Sequence, residues 1–459
     1  MAGTATRGGD ERRRRRDAAR AARAAKRDRV NEAVAQKPAP KREAARPAPK
    51  PITLPKASPV TAALGRRRLV VLLAVTLYVF GLVMVASASS GELLLQHADQ
   101  WTLLKKQAIF GIVGLSAMWV AMRIPLELVR RLARPTVWIC FALVMVVMIP
   151  GVGHSANGAT RWINLGLFQL QPSEPLKLAV CAMLAAHLAR TPPPRHWLND
   201  FVKSPGGAAL LLAAMLVALQ SDLGSGLVVG STTLVLYVLA GTQWKLLWRT
   251  IGPAVALVIL SIVTEPYRRE RFLAFIDPWA DPYGNGHQLI QAELAIGSGG
   301  PFGVGLGQSV QKINFLPEAH TDMIFAITVE ELGLFAVILI LGSFAMLAAL
   351  GAKIARQART RFSALLAAGI TAMIVGQAIV NVAGVTGFMP LTGIPLPLIS
   401  YGGSSLIVTL ASMGLLANIA TERRPSRSFA AAHAEPEPEP ADIDADSWGD
   451  DYDADSSWD

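Results

Sequence analysis

Charge is scarce in this chain. Asp, Glu, Lys and Arg make up 17% of 459 residues against 52% hydrophobic ones, and the apolar residues are gathered in blocks. That excludes an ordinary soluble domain and points to an all-α polytopic membrane protein. Cysteine is nearly absent: Cys140 and Cys181 both fall inside apolar runs, which excludes a disulfide framework. No cleavable signal peptide is legible, because the first apolar run begins only after some sixty polar, basic and Ala/Pro-rich residues. The first span is therefore expected to act as an uncleaved signal-anchor. Internal repeats of solenoid or inverted-transporter kind are also missing.

What is present is a series of ten apolar runs, near 69–88, 107–122, 136–152, 174–190, 206–220, 223–240, 248–265, 323–350, 363–385 and 404–421. Each is long enough to cross, or nearly cross, a hydrocarbon core as helix. Lys and Arg cluster after the second, fourth, sixth, eighth and tenth runs, which places those loops and both termini in the cytoplasm. The connections 89–106, 151–173, 221–222, 266–322 and 386–403 then face outward.

Three regions follow: a basic tail (1–65), a ten-span domain (66–421) and an acidic tail (422–459). Both tails are expected to be largely disordered, the first drawn to anionic headgroups, the second a solvating or docking tail. Nucleic acid is not an expected partner, since only charge would support it.

Outward loops of such a protein should be poor in cations, yet Lys105, Lys106, Arg161, Arg268, Arg269, Arg271 and Lys312 lie there. Each alone fits a solvated or headgroup-facing residue. Together, beside unusual acids, they suggest an anionic substrate, best a phosphate. The long loop 265–322 carries the Gly-rich "GSGGPFGVGLG" (297–307), expected to let backbone approach a ligand closely, and a short amphipathic helix near 287–297. It follows no strand, so a nucleotide fingerprint is rejected.

"LPEAHTDMIFAITVEELG" (316–333) sets Glu318, His320 and Asp322 at the mouth of an apolar run and Glu330 and Glu331 roughly 12–14 Å further in, at ~1.5 Å per residue. Asp322 either caps that helix or does chemistry, and both readings stand here. The deep glutamates require a polar cavity or a partner cation, for which the fourth span is a candidate. There "QPSEPLKLA" (171–179) reads as a helix start with Ser173 as N-cap, and Glu174 and Lys177 share a face, as an ion pair or as substrate ligands. The uncharged "GFMPLTGIPLPLISYGGSS" (387–405), broken by Pro390, Pro395 and Pro397, looks like a re-entrant wall. Ser404 and Ser405 open the last span, as caps or beside an anion-binding helix end.

These segments, with "RWINLG" and "PWADPYGNGHQLIQAELAIGSGGPFGVGLGQS", resemble the signatures of the SEDS family (shape, elongation, division and sporulation) over roughly residues 66–421. "PEAHTD" and the long tails look more like its division branch than its elongation branch. The resemblance implies a ten-span fold and a peptidoglycan glycosyltransferase that polymerises lipid II at the outer face of the plasma membrane, at the division septum. It also implies Asp322 as catalytic residue and a class B penicillin-binding protein, with other division proteins, as partners. On this view Asp322 is the general base. Arg161, Arg268, Arg271 and Lys312, with a possible divalent cation (Mg or Mn), would stabilise the diphosphate leaving group. Glu174, Lys177, Glu318, His320, Ser400, Tyr401 and Ser404 complete the substrate-binding candidates, and no other cofactor is expected. A small-residue face such as 367–378 in the ninth span is expected to dock the partner. A lipid II transporter and an idle scaffold recruiting through its tails are the competing classes.

Overall fold

The computed structural model describes residues 59–422 apart from scattered loop positions, and a few helical, exposed residues within 18–26. The basic tail, those few residues excepted, and the acidic tail beyond residue 422 lie outside the described residues, as do the readings of them as disordered or docking segments.

All ten apolar runs fall on helices: α1 (Pro59–Leu95), α2 (Thr102–Ala121), α3 (Leu126–Val147), then α4 (Ser173–Arg190), α5 (Pro205–Gln220), α6 (Leu223–Leu239) and α7 (Trp244–Thr264). The long loop adds α8 (Pro266–Ile276) and α9 (His287–Gly299), and the chain continues through α10 (Ile324–Leu332), α11 (Leu334–Gln357), α12 (Arg361–Val385) and α13 (Gly403–Ile419). Among the described residues five helices are long and apolar enough to cross a membrane by themselves: α1, α2, α7, α11 and α12. The others are shorter or carry more polar groups and depend on neighbours for burial.

The bundle is apolar outside and polar within. Leu72, Ile112, Trp138, Ile338 and Ile379 point outward, whereas Gln107, Glu174, Lys177, Asp222, Glu330, Glu331, Gln377 and Asn381 are buried. That inversion suits a lipid solvent. α12 lies at the centre, packed on α4, α6 and α11; α13 packs on α2 and α1; α7 sits at the periphery. The face 367–378 is thereby buried inside the chain, with Ala367, Ile370 and Ile374 all covered, so it does not offer the docking surface that its small residues suggest.

Three features depart from the sequence reading. The loop after α3 folds into a small antiparallel sheet, β1 (Gly153–Ala156), β2 (Ala159–Asn164) and β3 (Gln169–Leu170) in that order, within an otherwise helical chain. Ser173 lies inside α4, whose N-cap is Pro172, and its hydroxyl donates to Asp222 Oδ2 at 3.2 Å.

The eighth run is not one helix: it breaks at Gly333, with φ 62° and ψ −146°, a conformation open in practice only to glycine. A break inside a membrane bundle frees backbone groups that must find partners. The Gly-rich loop supplies them. Val304 N–H donates to Glu330 O at 2.9 Å, Gly305 N–H to Glu331 O at 3.0 Å, and Leu334 N–H to Pro301 O at 3.1 Å. A Cβ on Gly303 would meet Glu331 O at 2.1 Å, so the glycines here admit protein backbone rather than a ligand, contrary to the sequence expectation.

Gly333→Ala adds a Cβ 2.4 Å from Gly303 N in a backbone region that costs of order 1–3 kcal/mol for other residues. It should lower the thermal transition of the detergent-solubilised chain strongly. Gly342→Ala, with nothing near its Cβ, should not. Equal melting of both variants would contradict this account of the break.

Candidate active site

Three non-helical segments converge at one end of the bundle: the turn before α10, the stretch 386–402 between α12 and α13, and the sheet β1–β3. The turn is tight. Glu318 has φ 56°, its carbonyl accepts from Thr321 N–H at 3.0 Å, and the chain then enters α10. The helix is capped by Met323 with no side-chain hydrogen bond, so Asp322 is not its cap. This separates the two readings that spacing alone leaves standing.

Instead the Asp322 carboxylate faces polar company. Thr321 Oγ1 lies 3.0 Å from Glu318 Oε2 and 3.3 Å from Asp322 Oδ1, so a single hydroxyl links the two carboxylates. Asp322 Oδ2 and Arg161 Nη1 both come near Gly393, at 3.9 and 4.0 Å from where its Cβ would stand. Arg161 reaches this point from β2, anchored by its Nε donating to Gln220 O at 3.1 Å. Burial, reinforced by Glu318, pushes the Asp322 pKa up to about 6, while the Arg271 charge pulls the other way. The group is thus ionised near neutrality yet close to its proton affinity.

The backbone around Asp322 is held by a residue that sequence reasoning missed. Asn381 on α12 gives its two N–H donors to Asp322 O and Ile394 O, each at 2.8 Å, tying the turn to the 386–402 segment. One helical turn away, Gln377 Nε2 donates to Pro395 O at 2.9 Å, and Lys177 Nζ donates to Gln377 Oε1 at 2.7 Å and to Glu174 at 2.8 Å. The segment 386–402 is therefore the non-helical wall expected of it, with its carbonyls satisfied by amides. Glu174 and Lys177 meet each other and Gln377, beneath that wall rather than beside Asp322. Polar residues at i, i+4 in the apolar run of α12 were the available signal for Gln377 and Asn381. Asp222 was likewise missed: buried, it caps α6 through Ser225 N–H at 3.0 Å and accepts from Ser173.

Other candidates are engaged elsewhere. Lys312, expected at the substrate, is buried with its Nζ 2.9 Å from Glu331 Oε1. Glu331 also accepts from Ser87 Oγ at 2.6 Å, and Glu330 from Ser309 Oγ at 2.5 Å and Val310 N–H at 2.9 Å. The deep glutamates thus find their partners in the long loop and α1, not on the fourth span. Arg268 Nη1 donates to Ser261 Oγ at 2.5 Å, back onto α7. Ser400 Oγ accepts from Leu396 N–H at 2.8 Å; Ser404 Oγ accepts from Gln171 N–H and donates to Gln169 O, so both hold loops. His320 packs edge-on to Tyr401, and its carbonyl accepts from Tyr401 N–H at 2.9 Å, which joins the turn to the end of the wall. Among the described residues no three His, Cys, Asp or Glu side chains converge as a metal site.

A family model described as a cell cycle protein, named for FtsW, RodA and SpoVE, matches residues 67–425. A probable peptidoglycan glycosyltransferase FtsW of Geobacter metallireducens is 42% identical over 358 residues, covering 77% of this chain and 94% of that protein. Stage V sporulation protein E of Bacillus subtilis is 38% identical over 365 residues, covering 78% and 97%. Among solved structures, a chain from work on coordinated polymerization and crosslinking by a peptidoglycan synthase complex superposes with TM-score 0.65 at 31% identity, covering 77% of this chain and 97% of its own. The rod shape determining protein RodA of Thermus thermophilus superposes with TM-score 0.57 at 28% identity, covering 78% and 97%.

Lys312→Met leaves Glu331 buried without its cation, which should destabilise the fold by about 3–5 kcal/mol. The double change Lys312→Met with Glu331→Leu should recover most of that loss, read by thermal melting in detergent. A single variant that melts like the wild type would return Lys312 to the substrate-binding candidates.

Proposed function

The chain belongs to the FtsW/RodA/SpoVE family of cell cycle proteins, and from that membership we propose that it polymerises lipid II into glycan strands with Asp322 as general base. The observation that carries the reading is a carboxylate released from helix capping, raised to a pKa of about 6 and flanked by Arg161. Lys/Arg asymmetry puts this end of the bundle outside the plasma membrane, with both termini in the cytoplasm.

In the proposed step the acceptor sugar hydroxyl attacks the anomeric carbon of the donor. Its proton passes to Asp322, a new C–O bond forms with inversion, and the anomeric C–O bond breaks with its electron pair leaving on the lipid diphosphate. Arg161, near Gly393 as Asp322 is, would take up charge on that leaving group; Arg271 moderates the charge of the base. Arg268 and Lys312 are withdrawn from this task by their own partners. Glu318 and Asp322, linked through Thr321, fit a Mg or Mn ion only if the diphosphate supplies further oxygens, since magnesium sites commonly pair one or two carboxylates with substrate phosphate. Such an ion would neutralise the leaving group.

Names of the relatives favour a division or sporulation role over elongation, and the synthase complex among the structural neighbours supports a crosslinking penicillin-binding protein as partner. A transporter could use a broken helix to line a pathway. Here the groups freed at Gly333 are consumed by residues 301–305, which favours synthesis.

Asp322→Asn, purified with its partner, should insert normally and make no glycan from lipid II, assayed by gel separation of the polymer. Wild-type polymerisation by that variant would remove Asp322 from the reaction.

Because the base must be ionised, the wild-type rate should fall as pH drops through about 6. Glu318 raises this pKa, so Glu318→Gln should move the acidic limb to lower pH; Arg271 lowers it, so Arg271→Gln should move the limb up. Initial rates across pH 5–8 check both directions, and a limb unmoved by either change would dissociate it from Asp322.

A further inference from the structure

A cavity of about 230 Å³ opens beside the site, walled by α8, the start of α9 and Pro317. The signature segment beginning at Pro278 supplies half of its lining, and three links tie it to Asp322. Arg271 lines it and acts on the Asp322 charge; Leu391 lines both it and the small recess that contains Asp322; and Pro317 precedes the turn of Glu318.

Its lining is amphipathic. Phe275, Leu289 and Leu391 give an apolar surface, and Asn285, Gln288 and Arg271 give polar groups. Gln288 Nε2 makes a long contact of 3.5 Å to Pro317 O, and Asn285 Nδ2 donates to Glu270 Oε2 at 3.3 Å; each amide also carries an oxygen able to accept from a ligand N–H or O–H. A few polar groups over an apolar floor are typical of a small-molecule site, and the volume lies below the roughly 300–1,000 Å³ of drug-sized pockets.

We infer that this cavity is the subsite for a single uncharged, N-acetylated sugar ring, that of the acceptor, whose hydroxyl is thereby brought to Asp322. The inference rests on the reading of Asp322 as base. Charge decides between this ring and the leaving diphosphate. The one permanent cation in the lining, Arg271, already acts on Asp322, and Glu270 stands behind Asn285, so the cavity offers no surplus positive charge to a dianion. Arg161, the cation suited to that dianion, stands at Gly393 and does not line the cavity. A ring with C–H faces and an amide, in contrast, matches Phe275 and the two side-chain oxygens.

The probe is N-acetylglucosamine, observed by saturation-transfer NMR with the full chain in detergent micelles. Transfer to its acetyl methyl is expected for the wild type and equally for Asp322→Asn, which tests the base separately by polymerisation. Ala274→Leu, which fills the cavity, and Gln288→Ala, which removes an acceptor without disturbing packing, should each cut the signal several-fold while thermal melting is retained. Absence of transfer to the wild type, or unchanged transfer in Gln288→Ala together with a folded Ala274→Leu, would overturn the subsite. Displacement of the sugar by inorganic pyrophosphate would reassign the cavity to the leaving group. Polymer made by Asp322→Asn with sugar transfer intact would sink the base and leave the sugar site standing.

Discussion

Two adjacent carboxylates end a helix inside an apolar bundle, and the far end of the molecule is arranged around satisfying them. Glu330 and Glu331 sit in the last turn of α10, both buried. An isolated charge there would be prohibitive. Lys312 neutralises one, a serine and a backbone N–H hold the other, and every one of these groups except Ser87 comes from the 300–312 stretch. The same stretch fills the hydrogen bonds lost at Gly333. The long loop is therefore pinned to the membrane bundle at its Gly-rich half, ten residues before Asp322. The position of Asp322 is set first by this anchor.

It is set a second time from the other side. Asn381 holds Asp322 through the main chain, not through its carboxylate, so the position of the residue is fixed without an amide bond to its side chain. The same amide grips Ile394, and Gln377, backed by Lys177 and Glu174, grips Pro395. A buried ion pair is weak support for stability by itself. Here it orients a glutamine whose other end caps a carbonyl of non-helical wall. Removing Lys177 would thus act at a distance, through the wall that carries Gly393, where Arg161 and Asp322 come together.

The helical plan was legible because apolar run length and Lys/Arg placement report directly on lipid burial. Asp322, Glu318 and Arg161 were legible as candidates as well, the arginine because outward cations stand out in a positive-inside pattern and the acids because they open an apolar run. What pattern could not show was how the remaining charges are spent. Lys312 and Arg161 look alike as outward cations, and only the fold distinguishes the one nineteen residues before Glu331 that turns back to it from the one carried on a hairpin to Asp322. Glycine density was misread for a related reason: close backbone approach was correct, but the approaching partner was the broken helix. The break itself was hidden because an apolar sequence continues through Gly333 and one glycine seldom ends a helix. Asn381 and Gln377 were passed over as uncharged, though an amide in an apolar helix demands a partner as a charge does.

The contrast between the deep and shallow carboxylates bears on which of them could move a proton in the proposed reaction. Glu331 has a lysine at contact distance and the single Ser87 hydroxyl within hydrogen-bond reach of both its oxygens, so both of its oxygens are engaged. Asp322 is buried enough to resist ionisation, faces Glu318, and is relieved in part by the Arg271 charge and by hydrogen bonds from its own backbone N–H and Thr321. A tighter pair with Arg161 or Arg271 would hold it as a quiescent anion, and loss of the Arg271 charge would raise its pKa further. On the proposed reading of Asp322 as base, reactivity would follow from this incomplete compensation, which is tolerable because the fold places the residue by its backbone rather than by its charge.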